Sequence, residues 1–286
     1  MRWNSAIVAA LLLCAVWLRP AMAAQDRFFL SSDHVQLHYI EDGTGPTIVF
    51  IPGWTMPAWI FDKQITEFSR HYHVVAFDPR GQGDSTITPG GYEPGRRGQD
   101  IADLLAQLGP LPVLLVGWSL GVLDTLAYLH THGDSQIAGL VLIDNSVGEE
   151  PPPSPSRTTY VHHSGPPLSR AATMRNFVDG MFRQPQSPAY LARLTATALR
   201  TPPAAARDLL SYPEPRSYWK EAIYSTAKPV LYIVRPRLAG QAANLAAHHP
   251  GSESVVLQGV GHALFVDDAP RFDGLLQDFI HRRIWH

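Results

Sequence analysis

The sequence predicts an α/β fold in which a mostly parallel sheet carries helices on both faces. Three observations predict it. Continuous apolar runs such as "TIVFI" and "PVLLVG" read as strands covered on both sides, because a half-wet strand would alternate apolar and polar residues. Stretches with apolar residues at helical spacing alternate with those runs. A chain of 286 residues, 45% apolar and 17% charged, is also long enough to bury one large core.

Taken in order, "RFFL" and "VQLHYI" read as two short strands, and Thr47 to Ile51 as a third. Phe61, Ile65 and Phe68 then share one side of a helix within "FDKQITEFSRH". "HVVAF" is a strand, separated by a glycine-rich turn from the helical "GQDIADLLAQL". "PVLLVG" runs straight into a helix from Leu120, and "IAGLVLID" follows.

From Asn145 to Ala227 the character changes. Twelve of the 25 prolines fall between Pro151 and Pro215, among short helical pieces such as "ATMRNFVDGMF" and "AYLARLTATAL". Proline breaks long elements, and the aliphatic runs are too few for a separate core. Residues 145–227 are therefore expected to be a helical cap insertion, with the core of one domain in 24–144 and 228–286. A disordered linker is the competing reading of this composition. Phe177, Met181, Phe182, Tyr190, Leu191 and Trp219 either line a pocket there or pack on the sheet. "PVLYIV", "SVVLQG" and a helix from Asp268 to Arg282 resume the alternation. Asp267 and Asp268 read as helix-start residues, with Pro270 in the first turn.

The first 23 residues stand apart. Arg2, an apolar run from Ala6 to Leu18 and the small-x-small site Ala21-Met22-Ala23 have the form of a secretory signal peptide cleaved after Ala23. The run falls short of the roughly 20 residues a bilayer span needs, so no stable membrane anchor is expected. A secreted or periplasmic protein would result, without a thiol, since the single cysteine is Cys14. A net charge of -2 with no basic block argues against nucleic acid and anionic membranes as partners. Nothing in the pattern sets an oligomeric state.

The chemistry gathers around "GWSLG", Gly117 to Gly121, between an apolar strand and a helix. A serine at the apex of such a turn projects its hydroxyl above the sheet, beside the free N–H groups of a helix start. Residues two before and two after it must be glycine to avoid collision. The bland alternative is that Ser119 merely caps the helix. A nucleophilic serine needs a base, and His262 in "QGVGHALFVDDAP" lies in a glycine-flanked loop beyond the last strand. The other histidines, among them His71, His73, His162, His163, His248, His249 and His286, read mostly as surface residues. The backbone N–H groups of Leu120, after the nucleophile, and Trp54, in "FIPGWTM", are placed to stabilise an oxyanion. Asp78 and Arg80 read as loop supports, and Asp124 as a shaper of the pocket floor. Neither HExxH nor a two-cysteine motif occurs, so no metal or cofactor is expected.

In their order, "PGW", "AFDPRGQGDS", "GWSLG", "LVLID" and "GVGHALFVDDAP" resemble the α/β-hydrolase fold over essentially the whole chain after residue 23. The "GWSLG" elbow and the Trp after Pro-Gly are similar to carboxylesterases of that fold. The resemblance implies a Ser-His-acid triad acting on a small-molecule ester of a small or medium acyl group. One departure matters. Most relatives place the acid just after the strand matching "PVLYIV", where this chain has "RPRLAGQAANLAAHHPG" without Asp or Glu. A minority, the haloalkane dehalogenases among them, take it from the end of the preceding strand, where "LVLID" places Asp144. Glu149 and Glu150 are the alternatives. A cofactor-free perhydrolase, a lactonase, another activity of the fold or a catalytically silent binding protein would share these motifs.

Overall fold

The computed structural model describes residues 24–152 and 168–285. The signal-peptide segment with Arg2 and Cys14, the pair His162–His163 and His286 lie outside the described residues.

The first half of the chain runs β1 (Gln25–Leu30), β2 (Gln36–Asp42), β3 (Thr47–Ile51), α1 (Asp62–Phe68), β4 (His73–Asp78) and α2 (Pro94–Leu108). Next come β5 (Val113–Trp118), α3 (Leu120–His132) and β6 (Ile137–Ile143). The insertion supplies α4 (Arg170–Asp179), α5 (Pro188–Ala198), α6 (Pro203–Asp208) and α7 (Arg216–Tyr224). The chain then returns through β7 (Val230–Val234), α8 (Ala239–His248), β8 (Ser252–Val256), α9 (Leu264–Asp267) and α10 (Ala269–Phe279). These strands form one sheet in the order β1-β2-β4-β3-β5-β6-β7-β8. The pairs β1–β2 and β2–β4 are antiparallel and the rest parallel, as a strand–helix alternation demands.

Each central strand buries both of its faces. Val49, Leu115, Leu142 and Tyr232 point into one core with α2, α3 and α8, while Phe50, Val116, Val141 and Ile233 point into the other with α1 and α10. The insertion joins both cores. Met174, Val178, Leu194 and Ala198 of α4 and α5 pack into the second, and Trp219, Ala222 and Ile223 of α7 into the first. Phe177, Phe182, Tyr190 and Leu191 lie partly buried on the second core.

Several local details differ from expectation. Helix α2 starts at Pro94, earlier than "GQDIADLLAQL" suggests, because the fixed φ of proline suits the first helical position. The last α-helix ends at Phe279, and Ile280–Ile284 continue as a π-helical turn. His249 is not a surface residue: it is 3% exposed and bonded to the Thr226 carbonyl and the Ser252 hydroxyl. His38, also buried, lies with Nδ1 2.7 Å from Asp78. Among the described residues no helix is long and apolar enough to cross a membrane.

Candidate active site

Ser119 occupies the junction of β5 and α3 with φ 54° and ψ −118°, a conformation that costs strain in any L-residue. The flanking glycines make the turn possible. A Cβ on Gly117 would lie 2.5 Å from the Gly121 carbonyl oxygen, and one on Gly121 would lie 2.3 Å from that of Ile51. The Ser119 N–H donates to Ile143 O at 2.9 Å, and Asn145 Nδ2 donates to Ser119 O at 2.8 Å, so the apex is pinned from β6. The hydroxyl makes no capping bond to α3. Its Oγ instead sits 2.8 Å from His262 Nε2.

Four contacts hold the loop that presents His262. Trp118 Nε1 donates to His262 O at 2.9 Å, and Ala263 N–H donates to Met181 O at 3.1 Å. The Asp267 carboxylate accepts the N–H groups of Gly261 at 2.6 Å and Arg183 at 2.8 Å. Asp267 is therefore not a helix-start residue. It ends α9 and ties the histidine loop to the insertion, a role that local sequence signals cannot show. Asp268 does stand at the head of α10, though its side chain makes no capping bond.

His262 Nδ1 lies 2.6 Å from Asp144 Oδ2. The carboxylate accepts, so Nδ1 carries the proton and Nε2 is left to accept from Ser119. Asp144 is fully buried at the end of β6. Burial by itself would push its carboxyl up. The bond to and charge of His262, followed by the cation and N–H of Arg235, outweigh that and hold it below the usual carboxylate range. Arg235 went unnoticed in the sequence. It stands one residue beyond β7, donating from Nε to Asp144 Oδ2 at 2.6 Å and from its backbone N–H to Oδ1 at 3.0 Å. No local signal marked it: β6 and β7 pair Ile143 with Ile233, and that register brings together the residues just beyond both strands.

Glu149 is engaged elsewhere. Its carboxylate accepts from Tyr224 Oη at 2.5 Å, Lys220 Nζ at 2.9 Å and Asn244 Nδ2 at 2.8 Å, which fastens α7 and α8 beneath the start of the insertion. Glu150 is mostly exposed and lies 3.9 Å from Arg216.

As the first residue of α3, Leu120 has an N–H with no carbonyl one turn back. The loop bearing Trp54 passes directly over the elbow, since a Cβ on Gly53 would lie 3.0 Å from Ser119 Cβ. Buried Gln82 braces that loop. It accepts Thr55 N–H at 2.7 Å and donates to Gly53 O at 3.1 Å and Met56 O at 3.3 Å. The Trp54 indole packs under the insertion, donating to Ala206 O at 2.7 Å and standing edge-on to Phe177 at 5.0 Å.

Asp124 is not part of a pocket floor. It is buried between α2 and α3, 3.1 Å from Arg97 Nε, and burial pushes its carboxyl up to about 6 against the pull of that arginine. Asp78 and Arg80 support separate contacts. Asp78 accepts the N–H groups of Ala58 at 2.5 Å and Asp84 at 2.8 Å, and Arg80 pairs with Asp100 at 2.6 Å. His38, Asp78 and Asp84 bring potential metal-ligating atoms within 4.8 Å of one another, but the Asp78 oxygens are already committed to those donors and to His38.

An eight-stranded α/β sheet with a strained serine at the strand–helix elbow defines a class, and the comparisons with known proteins agree. A model described as the alpha/beta hydrolase family matches residues 48–273, and the chain belongs to that family. It is 30% identical over 263 residues to the pimeloyl-[acyl-carrier protein] methyl ester esterase of Xanthomonas oryzae pv. oryzae (strain MAFF 311018), covering 85% of this chain and 98% of that one. It is 33% identical over 117 residues to a non-heme haloperoxidase of Rhodococcus erythropolis, covering 41% of this chain and 43% of the relative, so that match spans under half of the relative's length. The crystal structure of a putative aryl esterase from Burkholderia cenocepacia superposes with a TM-score of 0.74 at 22% identity, over 90% of this chain and 98% of that one. The structural match establishes the fold; activity must be argued from the site.

Proposed function

We propose that this protein is an exported serine esterase acting on a small or medium acyl ester. One observation carries the reading: Ser119 Oγ, His262 and the Asp144 carboxylate stand in a single hydrogen-bonded line with links of 2.8 and 2.6 Å. His262 Nε2 takes the proton of Ser119 as Oγ attacks the acyl carbon, and Asp144 stabilises the imidazolium that forms. The N–H groups of Trp54 and Leu120 receive the developing oxyanion. Collapse expels the alcohol, protonated by His262. Water, activated by the same imidazole, then releases the acid and frees Ser119. The methyl ester esterase named above, matched over nearly its full length, supports an ester as substrate. No metal or cofactor enters any step.

A fluorophosphonate probe tests the mechanism. Covalent labelling at Ser119, lost in Ser119→Ala together with turnover of p-nitrophenyl esters, supports it. A silent probe on folded protein makes the chain a binding module. The haloperoxidase match favours a second reading, in which peroxide instead of water intercepts the acyl-enzyme and leaves as a peracid. Peroxide-dependent bromination in acetate, absent in Ser119→Ala, is its readout. Export, inferred from the pattern of residues 1–23, is tested by N-terminal sequencing of periplasmic protein, which should begin at Ala24.

A further inference from the structure

The end of β7 carries a cation where most relatives are expected to carry the acid. Arg235 grips both Asp144 oxygens, with Nε 2.6 Å from Oδ2 and its backbone N–H 3.0 Å from Oδ1. Its Nη2 lies 3.3 Å from His262 Nδ1. That nitrogen donates its own proton to Asp144 Oδ2, so the guanidinium and the imidazole are two donors converging on one oxygen. A permanent positive charge thus stands against the ring that must itself become positive during turnover.

We propose that Arg235 is a positioning residue of the Ser119–His262–Asp144 relay: it locks the Asp144 carboxylate in the one orientation that presents Oδ2 to His262 Nδ1. This rests on the triad reading above. The grip fixes rotation of the carboxylate because each oxygen has its own arginine donor, leaving the His262 direction as the remaining one on Oδ2. Among the described residues the groups that meet the ring are few. β6 contributes Asp144, β7 contributes Arg235, and the elbow contributes the Ser119 hydroxyl and the Trp118 indole, 5.2 Å away between centroids. The Asp267 carboxylate is bound to the N–H groups of Gly261 and Arg183, and the insertion meets this loop through the backbone of Met181.

The test is the kcat and KM of p-nitrophenyl butyrate hydrolysis for wild type, Arg235→Gln and Arg235→Lys, with the kcat-against-KM split as the readout. In Arg235→Gln the backbone N–H bond to Oδ1 remains but the Nε bond to Oδ2 is lost. Its plateau kcat should fall about tenfold as the carboxylate loosens, with KM unchanged. Arg235→Lys should share the fall in kcat, since the planar fork is gone although the charge remains. A kcat in Arg235→Gln within twofold of wild type overturns the proposal. So does a rise in KM alone, which would make Arg235 a substrate-binding group. Circular dichroism establishes folding, and Arg235→Met supplies the comparison should the glutamine variant not fold. Failure of the triad reading looks different: wild type itself would then not be labelled at Ser119.

Discussion

Replacing Asp144 with asparagine changes one oxygen to an NH2 and nothing else in size. The site has no acceptor for that group. Oδ2 accepts from His262 Nδ1 and Arg235 Nε, both at 2.6 Å, and Oδ1 accepts the Arg235 backbone N–H at 3.0 Å. Every neighbour is a donor. If the asparagine amide faces β7, two donors oppose at the Arg235 N–H. If it faces the ring, Nδ1 must become the acceptor, Nε2 then carries the proton, and Ser119 loses its base. With the wrong tautomer and no negative charge to balance the imidazolium, kcat should fall about 10³–10⁴-fold, or roughly 4–5.5 kcal/mol of transition-state stabilisation. Steady-state hydrolysis of p-nitrophenyl butyrate by Asp144→Asn measures this, with KM expected to stay near the wild-type value. A variant that is folded and retains a tenth or more of wild-type kcat would refute the reasoning and return the acid role to Glu149 or Glu150.

Two further changes probe the frame around the site. Gly121→Ala would set a Cβ 2.3 Å from Ile51 O and 2.8 Å from Pro52 O, so β3 and α3 must separate. A loss of about 2–4 kcal/mol in urea denaturation is expected, with a fall in kcat because the Trp54 loop leaves from that strand; unchanged stability would contradict the steric argument. Asp273 is the other. Burial pushes its carboxyl from 3.8 to about 6, opposed by the bond from Gln64 Nε2 and aided by Glu67. The folded value lies above the unfolded one, so its stabilising contribution is full below about 4 and is lost as pH rises through about 6. Gln64 Oε1 is buried without a partner. Asp273→Asn removes the buried carboxylate, and should gain about 1–2 kcal/mol at pH 8 after allowance for screening, and flatten the stability curve between about pH 4 and 6. Thermal unfolding at several pH values would show an unaltered slope if the account is wrong.

Much of this protein was legible in the chain. Apolar runs marked the strands, and "GWSLG" marked the elbow, because a turn that tight admits only glycine beside the serine. His262 was legible too, since a glycine-flanked histidine after the final strand is an unusual local pattern. These signals are local: backbone propensity, apolar periodicity and sterics act within a few residues.

What a charged side chain meets is not local, and there the tertiary structure decided. Asp124, four residues into α3, finds Arg97 of a neighbouring helix instead of a pocket. Asp267 reaches back to Gly261 and across to Arg183. Glu149 and Asp144 lie five residues apart, yet one closes on the lysine and tyrosine of α7 and the other on His262. Arg235 acquired its meaning only when β7 docked beside β6. A buried charge is tolerable only with a partner, and partners are supplied by whichever strands and helices become neighbours. That choice belongs to the packed sheet, where residues 144, 235 and 262 converge from three separate parts of the chain.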